Sequence, residues 1–254
     1  MLEIDNLTKR FGGLAAVNGV STRIEAGKIN AIIGPNGAGK TTFFNLLSGV
    51  QQPSSGRILL KGRDITGLRA DQVARLGVSR TFQTTTLFDH ATVLDNLIVG
   101  HRLRTHSGLW DVLIGSARLK REEQLCRDQA HAALQFVGLD RLAGRLAGDI
   151  SQEERKRVAF ALALSTGPQL VLLDEPAGGV NPEETAGLAD LIRKMAASGI
   201  TVCLIEHKMN MIMSLADRIM VLNYGEKIAE GRPAEIRANP AVIDAYLGSE
   251  HAGI

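Results

Sequence analysis

Cysteine is nearly absent. Cys126 and Cys203 are the only two in 254 residues, too few for a disulfide framework and without the close spacing of a metal-binding pair. Both read as reduced thiols, Cys203 inside an apolar strand. Long apolar runs are missing too. The longest, Val158 to Leu164, is seven residues, against the roughly 20 that a bilayer crossing requires. The N-terminal MLEIDNLTKRF has no apolar signal core and reads as a first strand. Membrane association is therefore expected only through a partner. Charge of one sign is lacking as well: 29 basic residues stand against 27 acidic ones, for a net +2. That balance leaves no nucleic-acid footprint, and the single cluster ERKR reads as a solvated face. Neither internal repeats nor low-complexity segments interrupt the chain.

What the chain does have is glycine, in one informative place. Gly34 to Thr41 reads GPNGAGKT, a fit to G-x-x-x-x-G-K-[ST], directly behind the apolar run Ile29, Ala31, Ile32 and Ile33 and ahead of the helix-like Phe43 to Leu47. In that strand–loop–helix context, glycines at 34, 37 and 39 let backbone N–H groups converge on a phosphate chain, and the helix beginning near Lys40 aims its positive end at the anion. Asn36, Gly37, Ala38, Gly39, Lys40, Thr41 and Thr42 form the expected cradle. Lys40 is expected to reach the β- and γ-phosphates and the Thr41 hydroxyl to ligate Mg²⁺. The pattern predicts binding of a nucleoside triphosphate.

A second acidic site lies downstream. Gln169 to Glu175, QLVLLDE, is a buried-strand pattern ending in two carboxylates, at the kind of strand end where α/β sheets bind ligands. Asp174 is placed to hold Mg²⁺ and Glu175 to polarise the attacking water. Two further strand-like runs end in polar residues: GVSRTF before Gln83, and ITVCLI before Glu206 and His207.

The order of phosphate loop, Gln83, a long helical stretch, Asp174-Glu175 and His207 resembles the ATP-binding subunit of an ABC transporter over nearly the whole chain. The resemblance implies an α/β P-loop NTPase core with an antiparallel β subdomain and an inserted helical subdomain. It implies ATP and Mg²⁺ as ligands, Gln83 as a metal and transporter contact, and His207 as the residue that holds the γ-phosphate. Phe11 matches the aromatic residue that stacks on adenine, with Val17 near the same ring. AGGVN, Ala177 to Asn181, matches the loop that carries Asp in many members where this chain has Asn181. The flanks RTFQTTTLFDHATVLDNLIVG, DEPAGGVNPEET, IEHKMNMIM and NPAVIDAYLG are similar to one of the two ATPases of branched-chain amino acid importers; transporters of urea or other amides share them.

One segment departs from the family. Where members carry L-S-G-G-Q or a close variant, this chain has Ile150, Ser151, Gln152, Glu153 and Glu154, then Arg155, Lys156 and Arg157. Ser151-x-x-Glu154 is a capping box, so the helix start is expected to survive, and Glu153 can pair with Lys156 or Arg157. A Glu153 carboxylate about 5 Å from a γ-phosphate charge would still repel it by about 3 kcal/mol at an effective dielectric near 20. The expectation is a signature impaired for closing on ATP; the alternative is a working variant with Glu153 turned to solvent.

The expected division is 1–83 for the N-terminal part of the core with its β subdomain, 84–150 for the helical subdomain and 151–254 for the signature helix and the rest of the core. Alternation in Leu2 to Leu7 and Arg57 to Leu60 marks half-exposed antiparallel strands. Val93 to Arg104 and Gln124 to Val137 look helical, the second with Ala130, Ala133, Leu134 and Val137 on one face, and Trp110 between them reads as a packing residue. Leu188, Leu191, Ile192 and Met195 give a further helix face. The resemblance implies transmembrane permease subunits and a second ATPase as partners, with a heterodimer favoured over a homodimer, and a peripheral position on the cytoplasmic face of the inner membrane. Two alternatives stay open: an ATP-binding regulatory subunit that does not hydrolyse, and a soluble ABC ATPase, which usually needs a coiled-coil insertion or a second cassette that 254 residues do not accommodate.

Overall fold

The computed structural model describes residues 1–81, 87–101 and 116–251. Gln83, Trp110 and the stretch from Arg102 to Arg104 lie outside them. The chain divides into two compact units, residues 1–80 with 169–254, and residues 81–168.

The first unit carries two sheets. Strands β1 (Leu2–Phe11), β2 (Leu14–Ile24), β4 (Ser55–Leu60) and β5 (Arg63–Asp64) form an antiparallel sheet in the order β2-β1-β4-β5. Along the start of β1, Leu2 and Ile4 are buried while Glu3 and Asp5 are exposed, the alternation of a sheet with one wet face. The other sheet runs β10-β9-β3-β8-β7-β6, from β3 (Ile29–Ile33), β6 (Val78–Thr81), β7 (Leu170–Asp174), β8 (Thr201–Ile205), β9 (Arg218–Asn223) and β10 (Glu226–Gly231). Strands β9, β3, β8 and β7 are mutually parallel and β10 returns antiparallel to β9. Every residue of β3, β7 and β8 is buried, which is why they read as unbroken apolar runs.

Helix α1 (Lys40–Leu47) follows β3 through the glycine loop. Its Phe43, Phe44, Leu46 and Leu47 join one core with Leu2, Ile4, Val17 and Ile58 from the antiparallel sheet and Ile32, Leu172, Cys203 and Ile205 from the parallel one. Each such side chain contributes about 1.5–3 kcal/mol by leaving water, so the loop between β3 and α1 is anchored at both ends. Helices α2 (Ala70–Arg75), α6 (Pro182–Ala197), α7 (Met209–Leu215), α8 (Pro233–Arg237) and α9 (Pro240–His251) complete this unit. The expected face of α6 is buried at Leu188, Leu191, Ile192 and Met195.

The described residues of the second unit are helical: α3 (Val93–His101), α4 (Ala117–Phe136), two short 3₁₀ turns and α5 (Gln152–Ser165). Ala130, Ala133, Leu134 and Val137 are buried as the spacing required. Helix α4 begins at Ala117, earlier than expected, because its first turns, ARLKREE, are polar and leave no periodic apolar signal; the Ser116 hydroxyl caps them by accepting from the Leu119 N–H. The unit also extends past the boundary expected at 150. Helix α5 packs on α3 and α4, burying Val158, Phe160 and Ala161, and so belongs with the helices. Both cysteines are buried free thiols, and burial pushes the Cys203 thiol up. Among the described residues no helix is long and apolar enough to cross a membrane.

Candidate nucleotide site

The phosphate loop is shaped by its neighbours as much as by its own sequence. A Cβ on Gly34 would collide with the Leu222 carbonyl oxygen of β9, and one on Gly39, at φ 97, with the Ala16 carbonyl oxygen of β2. Gly37 meets no such obstacle, so the two outer glycines are fixed by close backbone approach. Helix α1 starts at Lys40 behind Gly39, with no side-chain cap and no acidic residue in its first turn. Its N-terminal N–H groups and dipole are left to an external anion. Lys40 Nζ donates to the carbonyls of Gly34 (2.7 Å) and Pro35 (2.9 Å). Burial holds the Lys40 ammonium below the ordinary lysine value, opposed by the charges of Glu175 and Asp174.

Strand β7 delivers them. Asp174 is buried and its Oδ2 accepts from Arg80 Nη2 at 2.8 Å. Glu175 adopts a left-handed φ of 48, uncommon for a side-chain-bearing residue and found where function holds strain. Its N–H donates to the Ile205 carbonyl and its own carbonyl accepts from Gly178, so the turn that bears the carboxylate is pinned on both sides. His207 follows β8, with Nδ1 at 3.9 Å from Glu175 Oε2 and 3.4 Å from Glu206 Oε1. Lys40, Asp174, Glu175 and His207 thus converge at one end of the parallel strands. A cavity of about 570 Å³ beside the loop is lined by Gly34 to Ala38, His207 and, from α9, Asp244 to Tyr246. Burial pushes the Tyr246 phenol up to about 12, opposed by a hydrogen bond with the Gly34 backbone.

The remaining expected residues fall in different places. Phe11, at the end of β1, is 46% exposed, with the Lys9 ammonium 5.2 Å from its ring. Val17 departs from the expectation: it is wholly buried in the core cluster, where β2 packs against α1, and presents no open face to a base. Asn181 caps α6, its Oδ1 accepting from the Glu184 N–H at 2.9 Å while Glu184 accepts from the Asn181 N–H. Asn does here what Asp does at such a cap. In the second unit Ser151 and Glu154 form the expected capping box. Glu153 pairs with Arg157 at 2.6 Å, and Arg157 also donates to the Val137 carbonyl.

Three contributors were given no role by the sequence reading. Arg80 binds Asp174 across 94 positions; its only trace is a charge inside the short strand before Gln83. Glu206, buried, accepts from the N–H groups of Ala177, His207 and Lys208. Lys208 Nζ donates to the Val180 carbonyl and the Thr185 hydroxyl. Together Glu206 and Lys208 fasten the segment bearing His207 to the loop from Ala177 to Asn181.

The donors present fit a nucleoside triphosphate and Mg²⁺: an uncapped helix start for the phosphates, and hard oxygens on Thr41 and Asp174 for the metal. Comparison with known proteins agrees. The ABC transporter family model matches residues 17–178, and a model for branched-chain amino acid ATP-binding cassette transporters matches residues 226–252. The chain is 43% identical to the high-affinity branched-chain amino acid transport ATP-binding protein BraF of Pseudomonas aeruginosa, across 98% of both chains. It is 42% identical, over the same shares, to LivG of Escherichia coli. A solved ATP-binding cassette of an ABC transporter in its ADP conformation superimposes with a TM-score of 0.86 at 32% identity, covering 98% of each chain. The chain therefore belongs to the ABC transporter family, as an ATPase cassette of the branched-chain amino acid type.

Proposed function

We propose that the chain powers a membrane importer of branched-chain amino acids or chemically related solutes, working from the cytoplasmic face of the inner membrane with permease subunits and a second ATPase. The observation that carries the reading is the convergence of Lys40, Asp174, Glu175 and His207 on one uncapped helix start. In this reading the loop amides from Asn36 to Thr42 and Lys40 hold the phosphates, and Phe11 stacks on adenine. Thr41 and Asp174, with Gln83 by the resemblance, would hold Mg²⁺, which would supply charge neutralisation at the phosphates. Glu175 orients the attacking water and accepts its proton, while His207 donates to the γ-phosphate. Relatives named as branched-chain amino acid transport proteins support the solute class.

Cassettes of this family close head to tail, so Ser151 and the start of α5 would face the partner's nucleotide, with Asn181 beside it. A heterodimer is favoured, the partner supplying an unaltered signature over this chain's Lys40 and Glu175; a homodimer is the alternative. The Glu153–Arg157 pair supports a signature that is weakened and not disabled. Glu175→Gln tests the whole reading, because it keeps the shape of the site and removes the base: ATP binding persists and hydrolysis falls by about 10²–10⁴.

A further inference from the structure

Arg80 is a buried cation whose partners span two elements of the nucleotide site. Its side chain is 7% exposed and that of Asp174 2%. Nη2 donates to Asp174 Oδ2 at 2.8 Å, while Nη1 donates to Asn45 Oδ1 at 2.7 Å and to Ser48 Oγ at 3.1 Å. The guanidinium carbon lies 5.8 Å from the Phe44 ring centroid. Phe44 and Asn45 belong to α1 and Ser48 caps its C-terminus, so the planar fork reaches one way to the helix that begins with Lys40 and Thr41, and the other way to the carboxylate ending β7.

We propose that Arg80 is a positioning residue that fixes Asp174 relative to Thr41, and thereby sets the geometry in which this chain takes up Mg²⁺ with ATP. The proposal rests on the functional reading above. Thr41 and Asp174 sit on different elements, and oxygen ligands of Mg²⁺ must meet its octahedral geometry closely. A buried carboxylate can rotate about its side-chain bonds unless something holds it; Arg80 holds it and is itself held by α1. Groups that orient a metal's ligands typically change metal affinity about 10- to 100-fold when lost. Lysine is not a substitute. It carries the charge as a single point and cannot span Asn45, Ser48 and Asp174 at once. A merely structural ion pair would instead affect the fold, and with it nucleotide binding of every kind.

The test is titration of the full-length chain with ATP, once with Mg²⁺ and once with a chelator, for the wild type, Arg80→Lys and Asn45→Ala. The readout is the ratio of the two affinities. Arg80→Lys is expected to lower the Mg²⁺-dependent gain about 10-fold or more while leaving chelator-phase binding unchanged. Asn45→Ala, which removes one of the two hydrogen bonds that tie Arg80 to α1, is expected to lower it in the same direction by a smaller factor, and it serves if Arg80→Lys does not fold. A full Mg²⁺ gain in both variants overturns the proposal, and so does an equal loss of binding with and without the metal. A wild-type chain that binds ATP without any Mg²⁺-dependent gain also overturns the proposal, whereas one that binds no ATP under either condition overturns the nucleotide reading itself.

Discussion

Replacing Arg157 with glutamine isolates the charge of Glu153 at the start of α5. In the wild type the two side chains meet at 2.6 Å, each roughly a quarter exposed, so an effective dielectric near 20 applies, and a partner γ-phosphate charge about 5 Å from Glu153 would feel about 3 kcal/mol of repulsion. The Arg157 charge, about 8 Å from the same point on the far side of the pair, returns about 2 kcal/mol of attraction. The residual penalty is about 1 kcal/mol, or about fivefold in a rate. Glu153→Gly is therefore expected to speed hydrolysis at the partner's site only about fivefold, whereas Arg157→Gln, which leaves Glu153 unopposed, is expected to slow it about 30-fold. The assay is steady-state ATP hydrolysis by the chain together with its partner ATPase, at fixed ionic strength because the argument is electrostatic. An Arg157→Gln variant as fast as the wild type would refute the compensation. A gain of 100-fold or more from Glu153→Gly would show that Arg157 does not shield the site.

Two other outcomes are expected. Phe11→Ala should weaken ATP and GTP alike by about 1–3 kcal/mol, because stacking tolerates any base face; nucleotide titration giving wild-type affinity would return Phe11 to a surface role. Tyr246 should ionise near 12 instead of near 10, readable as tyrosinate absorbance in a Tyr224→Phe background, which leaves Tyr246 as the single tyrosine. Since the folded value lies above the unfolded one, the contribution of the neutral phenol is complete below pH about 10 and is lost as pH rises through about 12. Ionisation near 10 would show that α9 does not seat Tyr246 against the phosphate loop.

Most of the site's chemistry was legible in the sequence because it is written locally. GPNGAGKT after an apolar strand, a strand ending in Asp174 and Glu175, and a strand ending ahead of His207 each carry their meaning within a dozen residues. Convergence of those strand ends follows from the parallel order β9-β3-β8-β7. What was not legible depends on distance along the chain or on burial. The reach of Arg80 to Asp174 crosses 94 positions, and nothing near Glu206 announces that its carboxylate is buried as a clasp for three N–H groups. The resemblance implies Val17 near the adenine ring, yet the strand β2 turns it into the core. Helix α5 begins like the return of the α/β core but packs with helices, because its buried Val158, Phe160 and Ala161, and not its position after a loop, decide its neighbours.

The central claim is that Glu175 is the base of an ATP-hydrolysing site built on this chain. It is tested most directly by measuring ATP binding and ATP turnover side by side in the assembled complex, for the wild type and Glu175→Gln. The account predicts retained binding with hydrolysis at this chain's site reduced by about 10²–10⁴. Turnover unchanged in Glu175→Gln would contradict it.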